Sequence, residues 1–338
     1  MFERDLAIDL GTTNTVILEK GKGIILNEPS VVAINANTKE IFAIGLDAKG
    51  MLPAVPGNVN PLQPIKDGVI TDFDHTREML KHFMIKAKVA AKFAKRPRVL
   101  VAVPMVISRA EKQAVSQVLR AIGIKKKDIF LIDKIKAAAI CENLPIDKPQ
   151  GSMIVDIGGG TTDSIVMSMN EIVAGNSTNI AGDKLDESIA AYIKKQYNTA
   201  ITVHTAETIK NTIGCAYEND SKKTCEIKGV DLTTNSSNSL TIKPNEIAAV
   251  LKEPIQGIIT SIKQVLEKTP PELSSDIMQA GITLTGGGSL LKGINRLISE
   301  ETGVAINSAE NVLQSVTDGM HIVFNNFENM QHLLTSLE

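Results

Sequence analysis

The chain has no tryptophan, three tyrosines and eight phenylalanines among its 338 residues. Single-strand nucleic-acid binders stack bases on aromatic side chains, and such platforms are hard to assemble from so few. Positive charge is not in excess either: 36 Lys and Arg face 38 Asp and Glu, for a formal net charge of −2. No nucleic-acid partner is therefore expected. Cysteine is scarce and odd in number. Cys141, Cys215 and Cys225 lack ligand spacing and read as reduced thiols, not as a disulfide framework or a zinc site. The five histidines contain no pair at metal-ligand spacing. No apolar run approaches the ~20 residues that span a bilayer. The N-terminus enters a strand pattern at Leu6-Ala7-Ile8 without a signal-peptide pattern, so a cytoplasmic location is expected.

What is present is an ordinary globular composition, 43% hydrophobic and 22% charged, over a length that suits about two domains. Strand and helix patterns alternate, which predicts an α/β protein. Strands are expected at 6–8, 15–18, 23–26, 31–34, 99–103 and 129–132. Residues 51–65 hold four prolines and read as an irregular excursion. A helix is expected over 75–93. Another should open at the capping box Ser108/Glu111 and run to about Ile122. The pattern then begins again, with strands at 153–155 and 164–167, helices at about 183–196 and 205–216, and a small hairpin from 224–232 and 239–242. A long helix opens at Pro244 and is expected to break at Pro254, and a strand follows at 281–284.

The restart is visible as a duplicated motif. Asp9-Leu10-Gly11-Thr12-Thr13-Asn14 corresponds to Asp156-Ile157-Gly158-Gly159-Gly160-Thr161-Thr162-Asp163, about one domain later. In each, an acid closes an apolar strand and a Gly/Thr turn follows. Tight turns of this kind present backbone N–H groups and hydroxyls to an anion, and the acid suits Mg²⁺ held through water. A plain hairpin turn would read the same at one site; two, a domain apart, point to phosphate. A third element, Thr285-Gly286-Gly287-Gly288-Ser289, follows a strand and precedes a helix expected from about Leu290. Its glycines would let backbone approach a ligand. Two similar lobes facing each other across a cleft are expected.

With these residues in hand, the chain resembles the actin, Hsp70 and sugar-kinase superfamily, and within it the MreB bacterial actins. The resemblance rests on Asp9 to Asn14, Glu28 to Ala33, Lys66 to Ile70, Asp156 to Asp163, Ala181-Gly182-Asp183, Leu266 to Leu273 and Leu284 to Leu290. It implies a duplicated actin-like (ribonuclease H-like) two-lobe α/β fold with the nucleotide cleft between the lobes. Lobe I would span 1–145 and about 316–338, with a small insertion at about 32–74. Lobe II would span 146–315, with an insertion at about 182–245.

It also implies roles. Gly11, Thr12, Thr13 and Asn14 would form the first phosphate loop of an ATP/ADP site, and Gly158, Gly159, Gly160 and Thr161 the second. Gly182, Asp183, Glu207, Lys210, Gly286, Gly287, Gly288 and Ser289 would line the nucleotide. Asp9 and Asp156 would sit near Mg²⁺, with Asp156 and Thr161 near the attacking water. Without the resemblance, Glu207 and Lys210 are simply an (i, i+3) surface pair.

One position departs from the family pattern. Where these proteins carry a Glu that orients the hydrolytic water, this chain has Lys134, in Ile132-Asp133-Lys134-Ile135-Lys136. An ammonium accepts no proton from water; it either pairs with phosphate oxygen or turns to solvent. Losing such a group typically costs ~10²- to 10⁴-fold in rate, so a weak ATPase at most is expected. Phe93, flanked by Lys92, Lys95 and Arg96, is a candidate contact with an anionic membrane surface. The leading reading is an ATP-binding filament former, self-associating and acting in cell shape. A non-polymerising nucleotide-binding scaffold and a small-molecule kinase of the same superfamily are the alternatives.

Overall fold

The computed structural model describes residues 5–51, 59–89, 97–218 and 221–336. Along the chain come β1 (Leu6–Leu10), β2 (Asn14–Glu19), β3 (Gly23–Pro29), β4 (Val32–Asn35), β5 (Ile41–Ile44), α1 (Leu46–Met51), β6 (Val59–Leu62), β7 (Ile65–Lys66), β8 (Val69–Ile70) and α2 (Phe73–Lys86). Then follow β9 (Val99–Val103), α3 (Arg109–Ala121), β10 (Ile129–Asp133) and α4 (Lys134–Cys141). The second half runs β11 (Ser152–Ile157), β12 (Thr162–Ser168), β13 (Glu171–Thr178), α5 (Gly182–Tyr197), β14 (Thr199–Ala200), α6 (Val203–Ile213), β15 (Cys225–Asp231), β16 (Ser237–Ile242), α7 (Pro244–Lys268), α8 (Pro271–Ala280), β17 (Ile282–Thr285), α9 (Ile294–Thr302) and β18 (Ile306–Ser308). It is followed by α10 (Ser315–Asn325), α11 (Phe327–Met330) and β19 (Thr335–Ser336).

Contacts divide the chain into two compact units, Met1–Leu144 with Gln314–Glu338, and Pro145–Leu313. The first unit holds a six-stranded sheet of order β19-β10-β9-β1-β2-β3, the second a five-stranded sheet of order β13-β12-β11-β17-β18. Their centres repeat one plan. A three-stranded antiparallel meander (β1-β2-β3; β11-β12-β13) continues through its first strand into parallel neighbours (β9 and β10; β17 and β18). The duplication read from the Asp-Gly loops is thus a duplication of sheet topology.

Each unit has its own core. Leu6, Ile8, Ile17, Phe83, Val99, Val101, Leu119 and Leu131 pack together in the first. Met153, Val155, Ile189, Ile209, Leu251, Ile258, Ile262 and Leu284 do so in the second. The central strands β1 and β9 are buried along nearly their whole length, as strands with parallel partners and covered faces should be. A satellite sheet, β5-β4-β6, has its own small cluster of Val31, Ala33, Ala48 and Val59; the β14-β15-β16 sheet lies in the second unit.

Four expectations need correction. The helix expected over 75–93 stops at Lys86, because Lys88 adopts φ 56° and ends it. Lys88 N–H donates to Ile85 O at 2.9 Å and Val89 N–H to Met84 O at 3.0 Å; this is a Schellman closure, with the apolar Val89 tucked into the core. Of the proline-rich stretch 51–65, residues 52–58 lie outside the described residues, and 59–62 are not irregular but form β6, which pairs with β4. It lies at the sheet edge, where Pro61 costs no ladder bond. The long helix is not broken at Pro254 but continues to Lys268. Pro254 is buried, and the apolar face Leu251, Ile255, Ile258, Ile259 and Ile262 carries the helix through. Finally, a 3₁₀ turn covers Gly287–Leu290, and the helix proper begins only at Ile294. The Ser108/Glu111 capping box is present, with Glu111 N–H donating to Ser108 Oγ and Ser108 N–H to Glu111 Oε2.

Candidate phosphate loops and their surroundings

In the first unit, Gly11 to Thr13 connect β1 to β2. The turn is closed by Gly11 N–H donating to Asn14 O at 3.0 Å and Ser30 N–H donating to Thr13 O at 2.9 Å. Ser30 Oγ, itself buried, donates to Gly11 O at 2.7 Å. Thr12 is buried, and its hydroxyl accepts from Gly68 N–H at 2.8 Å, which ties the turn to the β7–β8 hairpin. Thr13 and Asn14 are exposed. The candidate loop residues therefore divide: Gly11 and Thr12 shape the turn, while Thr13 and Asn14 face outward.

Asp9 and Lys134 come together through the parallel ladder. Asp9 is in register with Ala102 on β9, and Ala102 with Ile132 on β10. β10 runs directly into α4, so Lys134, two residues on, stands at the same sheet end as Asp9. Its Nζ lies 2.6 Å from Asp9 Oδ1, and the two side chains are 13% and 18% exposed. The contact is an ion pair, not an aligned hydrogen bond; Asp9 Oδ1 is fully covered and accepts none from the described residues. Lys136 pairs with Asp133 at 3.5 Å. Burial pushes the Asp133 carboxyl above its ordinary range, against the pull of Lys136 and Lys112. α4 itself is pinned by α10, where Gly319 lies flat against the backbone of Ala137; a side chain there would collide with the Ala137 carbonyl.

In the second unit, the β11–β12 turn closes with Gly158 N–H donating to Thr161 O at 2.9 Å, the counterpart of the Gly11–Asn14 bond. Asp156 is directly opposite Asp163 across the hairpin, so two acids share one face of the ladder. Cross-strand like charges repel and favour a cation nearby. The loop is braced by α5, whose Gly182 N–H donates to Gly158 O at 3.1 Å and Asp183 N–H to Gly159 O at 2.8 Å. These two amides are thereby spent on the loop and not offered to a ligand.

Lys210, on α6, donates to Gly182 O at 3.0 Å and to Asp186 Oδ2 at 2.8 Å. It stitches α6 to the start of α5. Glu207 lies instead beside His204, Oε2 to Nδ1 3.3 Å. Asp186, nearly covered, has its carboxyl pushed up to about 6 by burial, with Lys210 opposing. Asp186 was not a sequence candidate, because nothing in the chain marks which acid a lysine 24 residues away will meet.

The Gly286–Ser289 turn packs on the same loop. Gly286 has φ 83°, and an added side chain would strike the Asp156 carboxylate and the Ile157 carbonyl. Its N–H donates to Val312 O at 3.1 Å, and Ser289 Oγ donates to Gly286 O at 2.6 Å. Thus Asp156, Gly158, Gly159, Gly182 and Gly286 form one contiguous cluster in the second unit. The Lys92–Arg96 segment, with Phe93, lies outside the described residues. Among the described residues no helix is long and apolar enough to cross a membrane.

Mg²⁺ needs only one or two carboxylates when phosphates and waters complete its shell. Accordingly, the lack of any cluster of three metal-ligating side chains among the described residues does not argue against it. The Asp156/Asp163 pair suits such an ion. Asp9 does not, because its covered oxygen already faces the Lys134 ammonium.

The paired sheets and loops define an actin-like protein, and solved structures agree. Crystal structures of MreB5 of Spiroplasma citri bound to ADP and to AMPPNP each match at TM-score 0.90 with 32% sequence identity. They cover 97% and 98% of this chain and 98% and 99% of their own. A structure of the MamK double helical filament matches at TM-score 0.77, with 18% identity and 96% of this chain covered, and shares the fold. Sequence relatives are closer. The cell shape-determining protein MreB of Escherichia coli (strain K12) is 45% identical over 323 residues, 94% of this chain and 92% of its own length. Mbl of Bacillus subtilis (strain 168) is 42% identical over 330 residues, 98% of each chain. The MreB/Mbl protein family matches residues 3–332, and the chain belongs to it. The expected family and fold are both borne out.

Proposed function

We propose that the chain is an actin-like cytoskeletal protein that binds adenine nucleotides at its two Asp-Gly turns, self-associates into filaments and acts in cell shape. The observation that carries this reading is the duplicated turn, built the same way at the end of β1 and of β11. The binding of ADP and AMPPNP by MreB5 of Spiroplasma citri, and the cell-shape role in the names of the MreB and Mbl relatives, support it.

Exposed Thr13 and Asn14 would offer polar groups to a phosphate chain in the first unit, and the Gly159–Thr161 amides of the Gly158–Thr161 turn would do so in the second. When bound, Mg²⁺ would neutralise charge on the phosphates; Asp156 would hold it, through water. Asp156 and Thr161 would orient the water that attacks. Lys134, as an ammonium, contributes no base, so turnover is slow and the ATP-bound form persists. A membrane-associated location through Phe93 and its basic neighbours belongs to the same proposal.

Calorimetry with ADP and AMPPNP, paired with electron microscopy of the same sample, tests the reading. Binding together with filaments is the expected result. Binding with no assembly at any nucleotide state would favour the non-polymerising scaffold, and no binding would overturn the reading.

A further inference from the structure

In the first unit, the acid at the end of β1 has its counter-cation built into the chain. Lys134 Nζ sits 2.6 Å from Asp9 Oδ1, with both side chains largely covered. That oxygen has no aligned hydrogen-bond donor among the described residues, so the ammonium is what compensates its charge. Lys134 is also the first residue of α4, whose first turn holds no acid. The start of a helix disfavours cations, so the lysine gains nothing there from α4 itself. The pairing with Asp9 is the interaction that offsets this. Nor is Nζ free to wander: α4 is fixed by Gly319 of α10 lying on Ala137, and Asp9 is fixed by the β1–β9–β10 register.

A polyphosphate approaching the Gly11–Asn14 turn would be repelled by a bare carboxylate at the strand end. A divalent cation ordinarily relieves such repulsion; here a fixed ammonium already faces that carboxylate. We propose that the Asp9–Lys134 pair stands in for a divalent cation beside the first unit's Gly11–Asn14 turn. Nucleotide binding by this chain then depends on Mg²⁺ much less than it would with a neutral or acidic residue at position 134. The proposal rests on the reading of Gly11–Asn14 as a phosphate loop.

The test is equilibrium binding of ADP and of AMPPNP to the full chain, by calorimetry, in saturating Mg²⁺ and in excess EDTA. Thermal melting checks that each variant is folded. Chelation should weaken Lys134→Gln and Lys134→Glu by at least about tenfold more than it weakens the wild-type chain, a separation of roughly 1.4 kcal/mol per decade. Lys134→Arg, which keeps the cation, should behave as wild type. The double variant Asp9→Asn/Lys134→Gln has no bare carboxylate left at the end of β1 and should also return to the wild-type Mg²⁺ dependence. Equal loss of affinity on chelation in wild type and Lys134→Gln would overturn the proposal while leaving nucleotide binding intact. Absence of binding in both buffers would instead overturn the phosphate-loop reading, and the proposal with it.

Discussion

On the proposed function, the side chain at position 134 would bear on kinetics more than on architecture. α4 starts at the end of β10 whatever residue opens it, because Ile135, Ala137, Ala138 and Ala139 are buried. The functional group at its first position is free to differ. A carboxylate there would restore a proton acceptor, and such groups contribute ~10²- to 10⁴-fold. Lys134→Glu is therefore expected to raise phosphate release by at least about tenfold, measured side by side with wild type in saturating Mg²⁺; an unchanged rate would show that another group limits turnover.

Asp186 gives a second prediction at this scale. Its carboxyl lies near 6 in the folded chain against an ordinary 3.8. Between those values the folded state keeps a proton that the unfolded state has released, so stability falls as pH rises through the window and is flat above it. At about 1.4 kcal/mol per pH unit the full difference is of order 2–3 kcal/mol. Denaturant titrations should show wild type losing about that much relative to Asp186→Asn between pH 4 and pH 7.

Why the sequence disclosed some of these residues and not others is a matter of range. Asp9, Gly11, Asp156 and Gly158 were legible because a strand, an acid and a glycine turn are adjacent in the chain. The pairing of Lys134 with Asp9 was not, because it depends on two parallel registers that only the folded sheet sets. The spacing of Glu207 and Lys210 correctly put both on α6, but it could not tell that Lys210 turns inward to Gly182 and Asp186.

Among elements, local signals held wherever they were chemically complete. The Ser108/Glu111 box caps α3 as read, since both reciprocal bonds form. The end of α2 was missed because its signal is a lysine in the left-handed region, where glycine is usual. Relieving that conformation should help: Lys88→Gly is expected to stabilise the chain by about 0.5–1 kcal/mol, seen as a higher denaturation midpoint with unchanged slope. Pro254 misled in the other direction. A proline inside a helix costs ~3 kcal/mol, but the apolar stripe from Leu251 to Val265 buries several large side chains, each contributing roughly 1.5–3 kcal/mol. The close approach of α10 to α4 makes the opposite demand for size. Gly319→Val should push the helices apart and cost about 1–3 kcal/mol, as overpacking does. Because α4 carries Lys134, the same substitution should also weaken nucleotide binding, and titrating the folded variant with ADP checks this.

For the whole molecule, the proposed function predicts assembly. Slow turnover keeps the bound nucleotide intact, so pelleting with ATP should match pelleting with AMPPNP at roughly micromolar chain, the range of modest interfaces. A strictly monomeric chain with ATP, ADP, AMPPNP and no nucleotide alike would count against filament formation. The two-unit organisation was legible from the repeated motif alone, whereas of the β5-β4-β6 sheet only β4 was, as the strand expected at 31–34. β5 is four residues long and β6 contains a proline, so neither of these two carries a strong pattern by itself.

The return of the chain to its first unit has a consequence for synthesis. α10 packs on α4, and β19 closes the sheet against β10, so the first unit is assembled from both extremities of the chain, while the second is contiguous. Domains ordinarily fold in the order in which they leave the ribosome, at about 5–20 residues per second. Here that order is reversed: the later-made unit is delivered whole first, and the earlier-made one waits, with the alanine face of α4 and the edge of β10 bare, until the closing helix emerges. Chains cut at residue 313 and extended by an unstructured linker long enough to span the ribosomal exit tunnel should accordingly, when arrested, protect the second unit from protease while the first remains open to cleavage.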